Sequence, residues 1–157
     1  MNMKKLISII TVLLGTIVLT SCLKSDLEEL ETYTNNDITG LVGVYHRYYG
    51  TDIIPGSGEV QVKQARLASG QFKADKETAT CEFACKIPSN FPESEKNKFS
   101  MSQLVVVLNI SSAALIEPIE GAPKLGIPGD WSKPNKYVVT AANGAKKTWT
   151  VTAKLLQ

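Results

Sequence analysis

The chain has 157 residues, 43% of them hydrophobic and 20% charged, with 17 Lys and Arg against 15 Asp and Glu. Lys4 and Lys5 account for this excess, so the chain beyond them is close to neutral (15 minus 15). Scattered lysines without a basic block exclude nucleic acid as a partner. The length suits one domain that buries its own core without a metal or a disulfide.

The amino terminus predicts export. Two lysines precede an apolar run over residues 6–19, the layout of a secretory signal peptide. The run has about 14 residues whereas a membrane-spanning helix needs roughly 20, so a permanent transmembrane helix is the weaker interpretation. The run ends in Leu19-Thr20-Ser21-Cys22, which resembles the lipobox of bacterial lipoproteins. The resemblance implies that residues 1–21 are a lipoprotein signal peptide and that Cys22 carries acyl chains, unless Cys22 is an ordinary thiol beside another cleavage site.

Residues 22–36 are expected to form a lipid-anchored tether. They are polar and acidic, with four carboxylates close together at Asp26, Glu28, Glu29 and Glu31. This segment resembles the export signal of Bacteroidetes lipoproteins that reach the outer face of the outer membrane, which implies a cell-surface location. A plain solvated linker or a short helix remains the alternative.

From Ile38 onward apolar residues recur at period two, which predicts an all-β domain over residues 37–157. The predicted strands are 38–48, 59–68, 78–87, 103–110, a short piece near Leu115, 136–141 and 147–155. About seven strands in a domain of this size indicate a β-sandwich. A buried helix competes for 103–110, but its β-branched residues favour a central strand. Between the strands, the charged stretch up to Lys98 is expected to be a loop with at most one helical turn.

Cys81 and Cys85 lie on one face of a predicted strand, together with Phe83. At 3.3 Å per residue they are about 13 Å apart, too far for a disulfide. The expected role is therefore a pair of buried, inert thiols. A CxxxC metal site or a redox pair is the alternative, although zinc usually needs four ligands and the one histidine, His46, is distant in sequence.

The clearest local signal is a carboxy-terminal hairpin, two alternating runs joined at Asn143-Gly144. A two-residue turn would place Val138 opposite Trp149 and mix the faces of the strands. A three-residue loop with Gly144 in the left-handed conformation would pair Tyr137 with Trp149 and keep both on one side. The odd-length loop is therefore predicted.

This hairpin and the preceding Asp130-Trp131-Ser132-Lys133-Pro134 resemble a module of Bacteroidetes surface lipoproteins: an immunoglobulin-like β-sandwich, often catalogued as a domain of unknown function and attached to polysaccharide-utilisation proteins. The resemblance covers residues 130–153 in motif and the upstream strands in pattern. It implies an immunoglobulin-like β-sandwich in which Trp131 and Trp149 are core aromatics. Fold transfers from such a match more safely than function.

No catalytic motif is present: the sequence contains no nucleophile elbow, no His cluster and no phosphate loop. The chain is therefore expected not to be an enzyme and to need no metal or other cofactor. Aromatic and hydrogen-bonding side chains adjoin at Tyr45, His46, Tyr48 and Tyr49, the combination that a sugar-binding surface needs. Packing of these rings in the core is the competing interpretation.

Two functional hypotheses follow. The first is a non-catalytic outer-membrane lipoprotein that binds a polysaccharide, or a protein partner in a glycan-uptake system. The second is a structural or interaction spacer with no small ligand. An exposed aromatic patch would favour the first hypothesis, and a surface without such a patch would favour the second.

Overall fold

The computed structural model describes residues 33–156, which form two β-sheets packed face to face. The predicted β-sandwich class is therefore confirmed. The predicted signal peptide, Cys22 and most of the predicted tether lie outside the described residues. Within them, no helix is long and apolar enough to cross a membrane.

Nine strands make up the sandwich, with one helical turn and one 3₁₀ turn between them. In chain order they are β1 (Ile38–Ile53), β2 (Val60–Arg66), β3 (Ala68–Asp75), β4 (Thr80–Lys86), α1 (Glu93–Lys96), the 3₁₀ turn (Met101–Gln103), β5 (Leu104–Ile110), β6 (Leu115–Ile119), β7 (Pro128–Gly129), β8 (Asn135–Thr140) and β9 (Lys146–Leu155). The first sheet has the order β2-β1-β5-β7 and the second the order β3-β4-β9-β8-β6. Neighbouring strands are antiparallel except β4 and β9, which run parallel.

The strands differ from the predicted ones in three places. β3 was not predicted because it is an edge strand without a fully buried residue, in which Phe72 is the one large apolar residue and alternation is weak. β7 was not predicted because it has only two residues. β1 continues past Tyr48 to Ile53, since β2 pairs with it out to that residue although Gly50, Thr51 and Asp52 break the apolar pattern.

The core lies between the sheets and is built around large aromatic side chains. Trp131 and Trp149 are fully buried, as the sequence predicts. Trp131 stacks on Tyr137 with ring centroids 6.1 Å apart and lies 5.9 Å from Phe83. These rings belong to a larger hydrophobic core that also receives Val44 and Val106 from the first sheet, and this core holds the two layers together.

Cys81 and Cys85 are both buried on the core face of β4, as predicted, and neither forms a disulfide. Burial disfavours the charged thiolate and raises the pKa of each thiol to about 11. At neutral pH both sulfurs are therefore neutral, and they pack like small apolar side chains.

The carboxy-terminal hairpin has the predicted odd-length loop. Tyr137 pairs with Trp149 in the β8–β9 ladder. The Ala141 amide donates to the Ala145 carbonyl at 2.8 Å, and the Gly144 amide donates to the Ala141 carbonyl at 2.9 Å. Residues 142–144 therefore form a three-residue loop, with Gly144 at φ +86°.

The segment before β1 is tied to the start of β9. The Trp149 indole Nε1 donates to the Asn36 carbonyl at 3.0 Å, and Lys147 forms an ion pair with the largely buried Asp37 at 2.9 Å. Lys76 also pairs with Asp37 at 3.0 Å. Hydrogen bonding from Lys147 is the main reason that the pKa of Asp37 is lowered. These contacts hold the beginning of the described chain to its last strand.

Gly144 offers a clean test of the hairpin geometry, because a Cβ at this residue would meet nothing within 4 Å. We expect Gly144→Ala to lower the free energy of unfolding by about 1 kcal/mol through backbone strain alone. Urea unfolding followed by tryptophan fluorescence measures the change. Gly40→Ala is the control, since its Cβ would make ordinary contact at 3.5 Å with Asn109 and its φ is not positive. Equal effects of the two substitutions would contradict the left-handed loop.

Candidate functional site

The second half of β1 positions the candidate site. β1 pairs with β5 only as far as His46, and beyond that residue it pairs with β2 alone. The two strands therefore continue past the sandwich as a two-stranded arm, which we define as residues 49–62. Every residue from 51 to 62 is exposed.

Alternation along β1 separates its side chains into two sets. Val44 and His46 are buried, on the face toward the core. Tyr45, Arg47 and Tyr49 occupy the opposite face, and Tyr49 is 78% exposed. The cross-strand partner of Tyr49 is Val62, which is 51% exposed. A ring and a valine thus stand side by side on the open face of the sheet.

Tyr45 lies apart from the other predicted site residues. Its hydroxyl would be 2.7 Å from a Cβ at position 43, so the ring lies along the strand over Gly43, where only glycine leaves room. The Arg66 guanidinium lies 5.9 Å from the centre of this ring. Tyr45 is therefore packed against its own strand, away from the cavities described below.

His46 is 3% exposed and lies in an aromatic pocket. Phe91 and Phe99, which flank α1, have ring centroids 5.6 and 6.0 Å from the imidazole, and Tyr48 stacks on it at 6.0 Å. The His46 Nε2 faces a Glu95 carboxylate oxygen at 3.3 Å. Because a carboxylate only accepts, Nε2 carries the proton. The other ring nitrogen, Nδ1, is buried without a hydrogen-bond partner.

Glu95 is the second buried polar residue of this region, 4% exposed on the single turn of α1. Besides His46 it binds Lys98, whose Nζ lies 2.9 Å from its other carboxylate oxygen. The Lys98 hydrogen bond, and after it the His46 contact, lower the pKa of Glu95 against the opposing effect of burial. Glu95 is therefore a carboxylate at neutral pH, held between two nitrogens.

A cleft of about 540 Å³ opens between the arm and the 3₁₀ turn that precedes β5. It is lined by Arg47, Tyr48, Tyr49, Val62, Ser102, Gln103 and Pro128. The Ser100 hydroxyl accepts from the Ser102 amide at 3.2 Å, and the Met101 carbonyl accepts from the buried Trp131 amide at 2.9 Å. The polar wall of the cleft is thus fixed to the core.

A recess of about 270 Å³ adjoins the cleft and shares four of its lining residues, Arg47, Tyr48, Tyr49 and Gln103. The recess adds His46, Glu95 and Lys98. Of the four predicted site residues, the structure thus brings together His46, Tyr48 and Tyr49. Four of the lining residues were not predicted as site residues from the sequence: Arg47, Gln103, Glu95 and Lys98. Of these, Arg47 lies between His46 and Tyr48 in the aromatic segment of β1.

The cleft and recess combine exposed rings with hydrogen-bonding groups, the arrangement that suits a polar ligand with an apolar face. In residues 33–156 no group of three or more His, Cys, Asp or Glu residues could hold a metal ion. Cys81 and Cys85 lie buried on β4 and line neither cavity.

Comparison with known proteins identifies a family and a related solved structure. The DUF5018-related family matches residues 38–152, more than half of the chain. A crystal structure from Bacteroides fragilis NCTC 9343, of a protein described as secreted, is 38% identical with a TM-score of 0.71. The match covers 80% of this chain and 99% of that one. No curated protein matches the chain.

The buried carboxylate predicts a pH-dependent stability. Because the pKa of Glu95 is lower in the folded than in the unfolded state, its contribution is complete above about pH 5 and is lost as pH falls through the folded pKa. We expect Glu95→Gln to destabilise the protein at pH 7 and to cost progressively less below about pH 4. Urea unfolding across this pH range measures the difference. Glu93→Gln is the matched control, an exposed residue of the same turn that pairs with Lys96. A Glu95→Gln effect independent of pH would contradict the role of the charge.

Proposed function

The chain belongs to the DUF5018-related family, and from this membership we propose that it is a non-catalytic binding protein of the bacterial cell envelope. The family description names no reaction. The described residues supply rings and hydrogen-bonding groups around a cleft. Binding is accordingly the function that this geometry supports best.

The envelope location is supported from two sides. Leu19-Thr20-Ser21-Cys22 has the order of a lipobox after a short apolar run, and the Bacteroides fragilis relative is described as secreted. Our proposal is that Cys22 is acylated and anchors the chain in the outer membrane. The acidic residues that follow Cys22 resemble the signal for the cell surface, and we propose that the domain faces outward.

A glycan is the proposed ligand, and the observation that carries it is the exposure of Tyr49 beside the cleft. Sugars stack their C–H faces on aromatic rings, while their hydroxyls need polar partners at the ring edges. Tyr48 and Tyr49 offer the rings, and Arg47, Ser102 and Gln103 offer hydrogen-bonding groups in the same cleft. Rings and hydrogen-bonding groups thus line one and the same cleft.

The position of the cleft along β1 fits this role. The chain enters β1 from the amino-terminal side, and the cleft lies about ten residues further on, roughly 33 Å at 3.3 Å per residue. The cleft therefore lies at the end of β1 opposite to the one where the described chain enters the strand.

The alternative function is an interaction domain with a protein partner and no small ligand. One observation favours it: apolar side chains on and beside the arm are unusually exposed, namely Ile53, Ile54, Val60 and Val62. Contiguous exposed apolar surface often marks a protein interface. Polysaccharide binding decides between the two functions.

We expect the protein lacking its anchor (residues 23–157) to bind at least one polysaccharide of a broad panel, and Tyr49→Ala to weaken that binding about tenfold or more, about 1.4 kcal/mol. Affinity electrophoresis and isothermal titration calorimetry measure the binding. Tyr33→Ala is the matched control, since Tyr33 is 61% exposed and lies at the hairpin, away from the cleft. No binding to any polysaccharide would reject the glycan in favour of a protein partner.

The proposed anchor predicts that Cys22→Ala releases the protein from the membrane fraction. One acyl chain binds a membrane only marginally whereas two or three hold a protein stably, so loss of the cysteine removes the attachment altogether. Metabolic labelling with a fatty acid and fractionation of cells measure the effect. The Cys81→Ala variant serves as control because this thiol is buried. Membrane retention of Cys22→Ala and an unlabelled wild type would overturn the anchor. Protease treatment of intact cells tests the outward orientation.

A further inference from the structure

Around the cleft and recess, the negative charges are paired, but one positive charge has no acidic partner among residues 33–156. Glu95 is the carboxylate that lines these cavities, and it is already bound by Lys98 at 2.9 Å and by His46 at 3.3 Å. Lys63, on the neighbouring strand, is paired with Asp52 at 2.6 Å. Arg47 is the remaining positively charged residue of these cavities, and it makes no ion pair with any residue between 33 and 156.

The hydrogen bonds of Arg47 are also incomplete. Its Nη2 donates to the Gly126 carbonyl at 3.2 Å, a contact that holds the side chain across the sheet. Its Nε is buried and has no partner among the described residues. The guanidinium is half-buried, and it lines both the cleft and the recess.

A second nitrogen in the same recess is likewise unpartnered. His46 Nδ1 is buried without a hydrogen bond, although the ring is fixed by Glu95 on its other side. Two neighbouring residues therefore carry nitrogens whose hydrogen-bonding capacity the protein leaves unused. Leaving such groups unpaired costs free energy, and native proteins seldom do so without a reason.

The ligand chemistry that completes Arg47 is anionic, whereas His46 Nδ1 can only accept a hydrogen bond because Nε2 carries the proton, so it suits a sugar hydroxyl. An arginine guanidinium presents its N–H donors in a planar fork that matches a carboxylate in two parallel hydrogen bonds. A half-buried cation also lies in a medium of lower effective dielectric constant than water, so attraction to an anion is stronger there. A neutral sugar would supply weaker hydrogen bonds and no charge.

We propose that the cleft binds an acidic saccharide, with a uronate carboxylate on the Arg47 guanidinium and the pyranose ring against Tyr49. This inference rests on the proposed glycan-binding function and adds the class of sugar. Arg47 is the specificity-determining residue, and the aromatic rings supply contact area without selecting charge. A sulfated sugar is the other source of negative charge, although its tetrahedral group matches the planar fork less well.

The experiment compares acidic polysaccharides with neutral forms of the same polymers. The protein lacking its anchor (residues 23–157) is titrated with polygalacturonate, alginate and hyaluronan, each beside its methyl-esterified or carboxyl-reduced counterpart, and with a sulfated polysaccharide. We expect at least one acidic polymer to bind tenfold or more tightly than its neutral form. The preference should shrink as NaCl rises from 50 to 500 mM, because salt screens the charge.

Arg47→Gln and Arg66→Gln form the matched pair of variants. Both remove one positive charge from the same face of the first sheet, but Arg66 is exposed and lines neither cavity. We expect Arg47→Gln to abolish the acidic preference and Arg66→Gln to keep it. Thermal unfolding of both variants shows whether the fold is intact. Arg47→Lys keeps the charge without the planar fork, and we expect it to recover only part of the preference.

The outcomes separate the two proposals. Equal binding of acidic and neutral forms, with Arg47→Gln unchanged, would overturn the acidic ligand and leave glycan binding standing. If Arg47→Gln and Arg66→Gln lost the acidic preference equally, diffuse surface charge would explain the preference. That result would overturn the role of Arg47. If the protein preferred the sulfated polymer to every uronate, the proposal that Arg47 binds a uronate carboxylate would be overturned. No binding to any polysaccharide would overturn both proposals.

Discussion

Backbone hydrogen bonds hold β1 between β5 and β2, and this pairing decides which face each of its side chains occupies. Val44 and His46 point inward because Val106 and Leu104 pair with them from β5. Arg47 and Tyr49 then necessarily point outward. A slip of one residue would send the arginine into the core and the histidine into solvent. The register of β1 thus sets both the residues that face the core and the two residues, Arg47 and Tyr49, that line the cleft from the opposite face.

The buried polar contact of His46 with Glu95 connects this strand to the rest of the site. α1 has only four residues and no side-chain cap, so its own hydrogen bonds do little to fix it. Glu95 and the flanking Phe91 and Phe99 attach it to His46 instead. A carboxylate at this depth is tolerable because two nitrogens satisfy it. Side-chain contacts, rather than regular secondary structure, therefore hold the wall of the recess in place.

Most of the fold could be predicted from sequence because most strands are half-buried and alternate cleanly. The hairpin register followed from keeping Tyr137 and Trp149 on one face. β3 gave too weak a signal, since an edge strand is solvated on much of its surface and needs few apolar residues. Glu95 looked like one more charge in an exposed loop, and only the tertiary structure shows that it is buried.

The candidate site was predictable only in part. The aromatic segment of β1 stood out, but its members do not share one environment: Tyr45 folds back over Gly43 while Tyr49 remains open. The importance of Arg47 depends on where Glu95 and Gly126 lie, and both are far from it in sequence. A missing partner is a property of the folded chain, and no local pattern can reveal it.

The parallel pairing of β4 with β9 has a consequence for how the protein is made. β9 is the last of the described strands in chain order, yet it lies in the middle of its sheet, between β4 and β8. Trp149 of β9 also donates a hydrogen bond to the Asn36 carbonyl, which lies 113 residues earlier in the chain. The second sheet and the core cannot be completed until residues 146–155 are available, and such long-range pairing is slow to form. Without β9, strands β3 and β4 would be separated from β8 and β6.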